Sequence, residues 1–165
     1  MDKCPIEDIL TIFPRTTTEE NMENNIQIAY LSFATRNMKA NCDEEIQAIL
    51  GEARVHNQKH GITGQLIYRS GIFLQLLEGN KDILTLLLGR ILLDRNRHEN
   101  IRILFNQPMT KRVFPDWSMA YQYLDDSALD LVNSIVPWQK LTKLPAEKKT
   151  VSNDDILRVF EELAA

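Results

Sequence analysis

The chain has 165 residues, 44% of them hydrophobic and 25% charged, which is the composition of a globular protein of about one domain. A chain of about 150 residues buries roughly 70% of its unfolded surface, enough for one sizeable core. The formal charge of -4 supplies no basic field for phosphate backbones, so direct nucleic-acid binding is not expected.

Residues 1 to 25 carry a short apolar pattern, Ile6, Ile9, Leu10 and Phe13, which Pro14 stops, and then a polar stretch from Thr16 to Asn25. We assign 1–25 as an N-terminal extension of a core that begins near Met22. No basic segment precedes an apolar core here, and no apolar run in the chain approaches membrane-spanning length, so a cytoplasmic protein is expected, away from the membrane. Cys4 and Cys42 are far apart and lack CxxC spacing, which fits incidental thiols in a reducing compartment and argues against a zinc site or a disulfide scaffold.

From Ile26 to Phe33 the chain alternates as a strand, with Ile26, Ile28, Tyr30 and Ser32 on one face and Gln27, Ala29, Leu31 and Phe33 on the other. Both faces are largely apolar, so both are expected to be covered. Asn41 or Asp43 can cap a helix whose apolar row is Ile46, Ile49, Leu50 and Ala53, and Gly61 can end it in a left-handed turn. Gln65–Arg69 and Ile72–Leu77 read as strands of a hairpin joined through Ser70 and Gly71. Asp82–Leu93 is a leucine-rich helix, Ile101–Phe105 a strand, and Trp117–Tyr121 a last strand after a loop with two prolines.

This order is βαββαββ: an α+β, ferredoxin-like sheet with one added strand and two helices on one face. The tail from Asp125 holds two helical patterns, Ala128-Leu131-Val132-Ile135 and Ile156-Val159-Phe160-Leu163. Ser152 and Asp155 open the second with a capping signal. These helices are expected on the opposite sheet face, which divides the chain into 1–25, 26–124 and a C-terminal cap, 125–165.

Polar residues in apolar settings carry the functional information. Four residues beyond Ala53, Asn57 continues the buried row of its helix, and Gln75 lies between Phe73 and Leu77 on one strand face. Buried amides need partners. First and third strands are central neighbours in a ferredoxin-like sheet, so Tyr30 and Gln75 can approach each other on the helix side. From the residues alone, two readings stand: an apolar slot with convergent polar groups for a planar heteroaromatic ligand, or a polar network satisfied internally.

Six blocks, in order, resemble the signature of the BLUF family over about residues 26–124. They are Tyr30-Leu-Ser32, His56-Asn57, Gly61-Ile-Thr-Gly64, Gly71-Ile-Phe-Leu-Gln75-Leu-Leu-Glu78-Gly79, Arg97-His98 and Phe114-Pro-Asp-Trp117-Ser118-Met119. The resemblance implies FAD, or FMN in its place, wedged between the two sheet-packed helices. It implies that Asn57 pairs with the flavin carbonyl and ring NH, that His56 lies beside it, and that Arg97 and His98 also contact the cofactor. Gln75 would be the switching glutamine, Tyr30 its redox-active partner, and Ser32, Trp117 and Met119 the shell around them. The implied function is blue-light sensing, with electron transfer from Tyr30, proton movement through Gln75 and a small red shift of the flavin, passed outward through Met119 and the tail.

One departure from the family is the spacing Asp94-Arg95-Asn96-Arg97-His98, which has one residue more than the usual Asp-x-Arg-His. Arg97 and His98 could be displaced by it, and Arg95 could take a contact to the cofactor tail. No nucleophile elbow, HExxH, P-loop or GxGxxG is present, so an enzyme is not expected, and output would pass to a separate signalling partner, with a homo-oligomer as the expected assembly. His56 and His60 are four apart on a helix but lack further ligands, so no metal is expected. The alternatives are a flavin binder without photoactivity and a cofactor-free ferredoxin-like interaction module.

Overall fold

The computed structural model describes residues 24–143 and 151–164. The apolar pattern at residues 6–13, Cys4, Met22 and the polar stretch up to residue 23 lie outside the described residues.

The described chain forms a sheet of five strands, β1 (Asn25–Ala34), β2 (Thr63–Arg69), β3 (Ile72–Asn80), β4 (His98–Pro108) and β5 (Ala120–Tyr123), in the order β4-β1-β3-β2-β5. The three pairings among β4, β1, β3 and β2 are antiparallel, and β5 adds parallel to β2. Helices α1 (Arg36–Ala40), α2 (Cys42–His60) and α3 (Lys81–Leu93) connect the strands, and α4 (Asp126–Ile135), α5 (Trp138–Thr142) and α6 (Asn153–Ala164) follow them. This is the expected ferredoxin-like arrangement with helices on both sheet faces.

Local chemistry sets the ends of these elements. Gly61, at φ 64°, closes α2 in the left-handed region, and its N–H donates to the Asn57 carbonyl. Ser70 (φ 47°) and Gly71 (φ 80°) both have positive φ, as a two-residue hairpin turn requires. Asn80 caps α3 by accepting from Asp82 and Ile83, and the Ser152 hydroxyl accepts from the Asp155 N–H at the start of α6. The short helix α1 was not expected. It buries only Met38 and is opened by the Thr35 hydroxyl, which accepts from the Met38 N–H.

Alternation along β1 divides the core in two. Ile26, Ile28 and Tyr30 join Leu66, Phe73 and Leu77 under Ile46, Leu50 and Leu84 of the connecting helices. Ala29, Leu31, Ile67, Leu74 and Leu76 face the other way and meet Val132, Trp138, Ile156, Val159 and Phe160 of the tail. Arg69 fastens the tail to the sheet edge by donating to the Leu124 carbonyl at 2.7 Å and pairing with Asp126 at 3.1 Å. At Gly64 the strands β2 and β3 approach closely: a Cβ there would lie 2.0 Å from the Leu76 carbonyl oxygen.

Phe160 is fully buried on the tail side. Phe160→Ala should lower unfolding stability by about 3–5 kcal/mol, measured by urea denaturation, because the sheet cannot collapse to fill the space.

Candidate functional site

Between α2, α3 and the cavity-side face of the sheet lies a cavity of about 400 Å³. Its walls are apolar, with Ile49 and Ala53 from α2, Leu66 and Leu77 from the sheet, and Leu87 and Ile91 from α3. Polar side chains line it too, among them Tyr30, Gln75, Asn57, His56 and His98. Volume and lining are those of a small-molecule site.

Tyr30 and Gln75 meet because β1 and β3 pair in the register that sets their Cα atoms opposite each other. The Tyr30 hydroxyl donates to Gln75 Oε1, and Gln75 Nε2 donates to Met119 Sδ at 3.4 Å. Burial, and after it the negative charge of Asp94, push the Tyr30 phenol well above its ordinary value, so it is a neutral hydrogen-bond donor.

Asn57 is buried at the end of α2. Its Nδ2 donates to the Ser118 carbonyl at 2.7 Å, and its Oδ1 lies 3.4 Å from His56 Nδ1. One N–H of the amide and an acceptor lone pair remain for a ligand. His56 Nε2 is buried with no hydrogen-bond partner, an orphaned polar atom beside the cavity that lacks the partner a ligand would supply. These groups fit the edge of a planar heterocycle that offers both a donor and acceptors.

The segment 117–119 departs from expectation. The last strand starts at Ala120 rather than Trp117, because the three preceding carbonyls are spent sideways on different donors. The Trp117 carbonyl accepts from the Gly64 N–H at 3.2 Å, Ser118 from Asn57, and Met119 from Arg54 Nε at 3.0 Å. Met119 is 1% exposed and touches Gln75, whereas the Trp117 side chain, placed in the shell by resemblance, is 60% exposed.

The extra residue near Asp94 is absorbed in the turn after α3. The His98 N–H donates to the Asp94 carbonyl at 3.2 Å, and the Thr35 N–H to that of Arg97, which sews the turn to the start of α1. Both Arg97 and His98 therefore still line the cavity, while Arg95 is exposed and does not. Ser32 is buried behind them, with its hydroxyl 3.0 Å from His98 Nδ1. Arg97 is engaged by Glu45 (3.3 Å) and Glu52 (3.1 Å) of α2.

Arg90 also lines the cavity and has no ion pair among the described residues. Sequence reasoning passed over it, although Leu87, Arg90 and Ile91 share one helix face by their spacing. The His56 and His60 rings lie 4.5 Å apart between centroids, tilted by 47°, and among the described residues no three metal-ligating side chains come together.

Comparison with known proteins now adds the decisive observation. The family described as "BLUF: Sensors of blue-light using FAD" matches residues 26–120. The chain belongs to the BLUF family. It is thus related to blue-light photoreceptors that bind a flavin, and its ferredoxin-like sheet is theirs. Among curated relatives, photoactivated adenylate cyclase subunit alpha of Euglena gracilis is 33% identical over 100 residues, 61% of this chain and 10% of that protein. Subunit beta of Euglena longa is 31% identical over 120 residues, 70% of this chain and 14% of that protein. The chain therefore spans only about a tenth of the length of such relatives.

Two solved BLUF-type structures match most of the chain. BlsA in its photo-activated state has a TM-score of 0.73 at 25% identity, covering 85% of this chain and 94% of its own. BlrB, titled a BLUF protein in its dark state, has a TM-score of 0.66 at 26% identity, covering 87% and 97%. None of the described helices is long and apolar enough to cross a membrane.

Burial is the largest cause holding each of the three histidines, His56, His60 and His98, below the ordinary imidazole value of 6.5. A folded pKa below the unfolded one means that the unfolded chain binds more protons as pH falls, so stability is full above pH 6.5 and is lost as pH drops through it toward the folded values. Thermal melts of the protein should therefore show a falling midpoint from pH 7 to about pH 5.5. The His98→Asn variant should flatten part of that slope.

Proposed function

We propose that this BLUF chain is a blue-light switch in which Tyr30 and Gln75 rearrange their hydrogen bonds against a flavin, and that Asn57, His56 and His98 hold the ring. The observation that carries the reading is the chain of hydrogen bonds from Tyr30 through Gln75 to Met119, whose first two members line a largely apolar cavity. We take the flavin to be FAD, in keeping with the family's description.

Bound there, the flavin would supply blue-light absorption and, once excited, a ring that accepts an electron. Tyr30 is the donor in this reading. Its phenol is held neutral by burial, so loss of an electron makes the hydroxyl strongly acidic, and the proton has a path along the bond to Gln75 Oε1. Gln75 is the only one of the pair whose donor and acceptor ends are distinguishable, and reversal of its amide exchanges them at fixed volume. Met119 Sδ, a weak acceptor, holds the Gln75 amide in the resting sense without a strong penalty for release. The reversed Gln75 amide would offer a new donor to the bound ring, which would lower its absorption energy and give a small red shift.

The anionic tail of the cofactor would lie toward Arg90, which is not held by a carboxylate as Arg97 is. Arg97 serves instead to tie the turn after α3 to α2. We further assign 1–25 as an extension, 26–124 as the sensor and 125–165 as a signalling cap, without catalytic turnover of its own. Output would pass from the sheet to the tail helices and from there to a partner, in a homo-oligomer in the cytoplasm. The cyclase names of the relatives describe those proteins, and a cyclase-like partner is one candidate for that output.

Protein purified from flavin-replete cells should be yellow and release FAD on heating. A colourless preparation would support the cofactor-free reading instead. Asn57→Ala should weaken flavin retention by about 1–3 kcal/mol in a competition titration, the cost of a lost buried partner. Tyr30→Phe and Gln75→Leu should each fold and keep flavin yet lose the reversible red shift in difference spectra under blue light. A wild-type photocycle in either variant would remove that residue from the switch.

A further inference from the structure

The connection from β4 to β5 must cross the whole sheet, since these strands are its two edges. It does so over the end of the tail-side face, and one buried residue holds it there. Glu78 of β3 is 0% exposed and carries four donors on its two carboxylate oxygens. Oε1 accepts from Gln27 Nε2 at 3.0 Å and the Val113 N–H at 2.6 Å. Oε2 accepts from the Thr63 hydroxyl at 3.1 Å and the Phe114 N–H at 3.0 Å. Arg112 closes the cluster by donating to Thr63 Oγ1 at 2.8 Å and to the Glu78 carbonyl at 3.2 Å.

Only a carboxylate satisfies this set, because it accepts at both ends. A glutamine would turn its NH₂ toward one oxygen's donors. Thr63 can rotate its hydroxyl and Gln27 can reverse its amide, but the N–H of Val113 or of Phe114 cannot invert. One of the two backbone anchors must then be lost, whichever way the amide points.

The anchored segment leads within a few residues to Ser118 and Met119, which engage Asn57, Arg54 and Gln75 on the other side of the sheet. Glu78 lies on the same strand as Gln75, so one rigid element holds both the switching amide and the clamp on the segment that meets it. Building on the light-switch reading above, we propose that Glu78 is a positioning residue of that switch: by anchoring Val113 and Phe114 it keeps Met119 against Gln75 and sets how fast the resting state re-forms. The clamp favours the resting arrangement, in which Gln75 Nε2 donates to Met119, so weakening it slows the return.

The test uses the full chain with its copurified flavin, comparing wild type, E78Q, M119L and E78Q/M119L by dark recovery after a blue-light pulse. E78Q should keep its flavin and red shift but recover about fivefold more slowly or worse, the effect of one lost buried hydrogen bond. In the M119L background the same substitution should change recovery by less than about twofold, since the residue through which it acts is gone. Recovery of E78Q at the wild-type rate, or equal slowing in both backgrounds, would overturn the proposal. If E78Q does not fold, T63V removes one donor and leaves the carboxylate. A smaller slowing that M119L again erases is then expected, and a wild-type rate overturns the proposal.

A wild-type protein with no light-induced shift would defeat the functional reading but still leave the clamp open to measurement. In methionine-methyl NMR spectra in the dark, E78Q should shift or broaden the Met119 signal and leave that of Met38 in place. An unmoved Met119 signal would count against Glu78 as its anchor.

Discussion

Antiparallel pairing of β1 with β3, in the register that sets Tyr30 opposite Gln75, is the constraint on which the site rests. A slip of one residue would turn Tyr30 to the tail side and bring Ala29 or Leu31 to the cavity, since strand side chains alternate with a period of two. The register resists slipping because both faces are buried. Ile28 and Tyr30 belong to one core and Ala29 and Leu31 to the other, so any displacement would have to repack both together. The same double burial makes the sheet a thin partition: Gln75 faces the cavity while Leu74 and Leu76, its neighbours in the chain, face the tail helices. A change at Gln75 reaches those helices through a single strand.

Most polar groups in this interior are paired. Ser32 is matched with His98, Asn57 with Ser118, Gln27 with Glu78, and Tyr30 with Gln75. A buried polar group without a partner costs about 1–3 kcal/mol, so such pairs also fix where their elements sit. Among the described residues three buried side-chain atoms lack a partner, Gln65 Oε1, Arg102 Nε and His56 Nε2, and of these only His56 lines the cavity. An unmatched atom at that place is what a site prepared for a ligand is expected to contain.

Much of this was legible in the sequence, for identifiable reasons. The alternation from Ile26 to Phe33, the hairpin turn at Ser70-Gly71 and the apolar row leading to Asn57 each report a local geometry, and local geometry is what periodicity encodes. Fold class and the meeting of Tyr30 with Gln75 followed from them once the strand order was assumed. The start of β5 was not legible, because the carbonyls of Trp117, Ser118 and Met119 are claimed by Gly64, Asn57 and Arg54, residues more than fifty positions away. Trp117, placed in the shell by resemblance, is exposed, and its segment lies outside the strand. Arg90 carries no motif that singles it out in the sequence, and the placement of α3 against the sheet brings it to the cavity. Glu78 was visible as part of a motif, but its role depends on a crossover whose path no local pattern reveals.

The close approach at Gly64 bears on how this segment can diverge. A Cβ there would press on the Leu76 carbonyl, a backbone atom that cannot swing aside as a side-chain tip can. The same glycine donates its N–H to the Trp117 carbonyl, so its position is shared by β2, β3 and the segment leading into β5. A replacement at 64 could be accommodated only if β2 moved away from β3, and that would also withdraw the support under Trp117 and Met119. Position 64 is therefore closed to gradual substitution, and descendants of this chain could vary their loops and tail widely while inheriting this glycine unchanged.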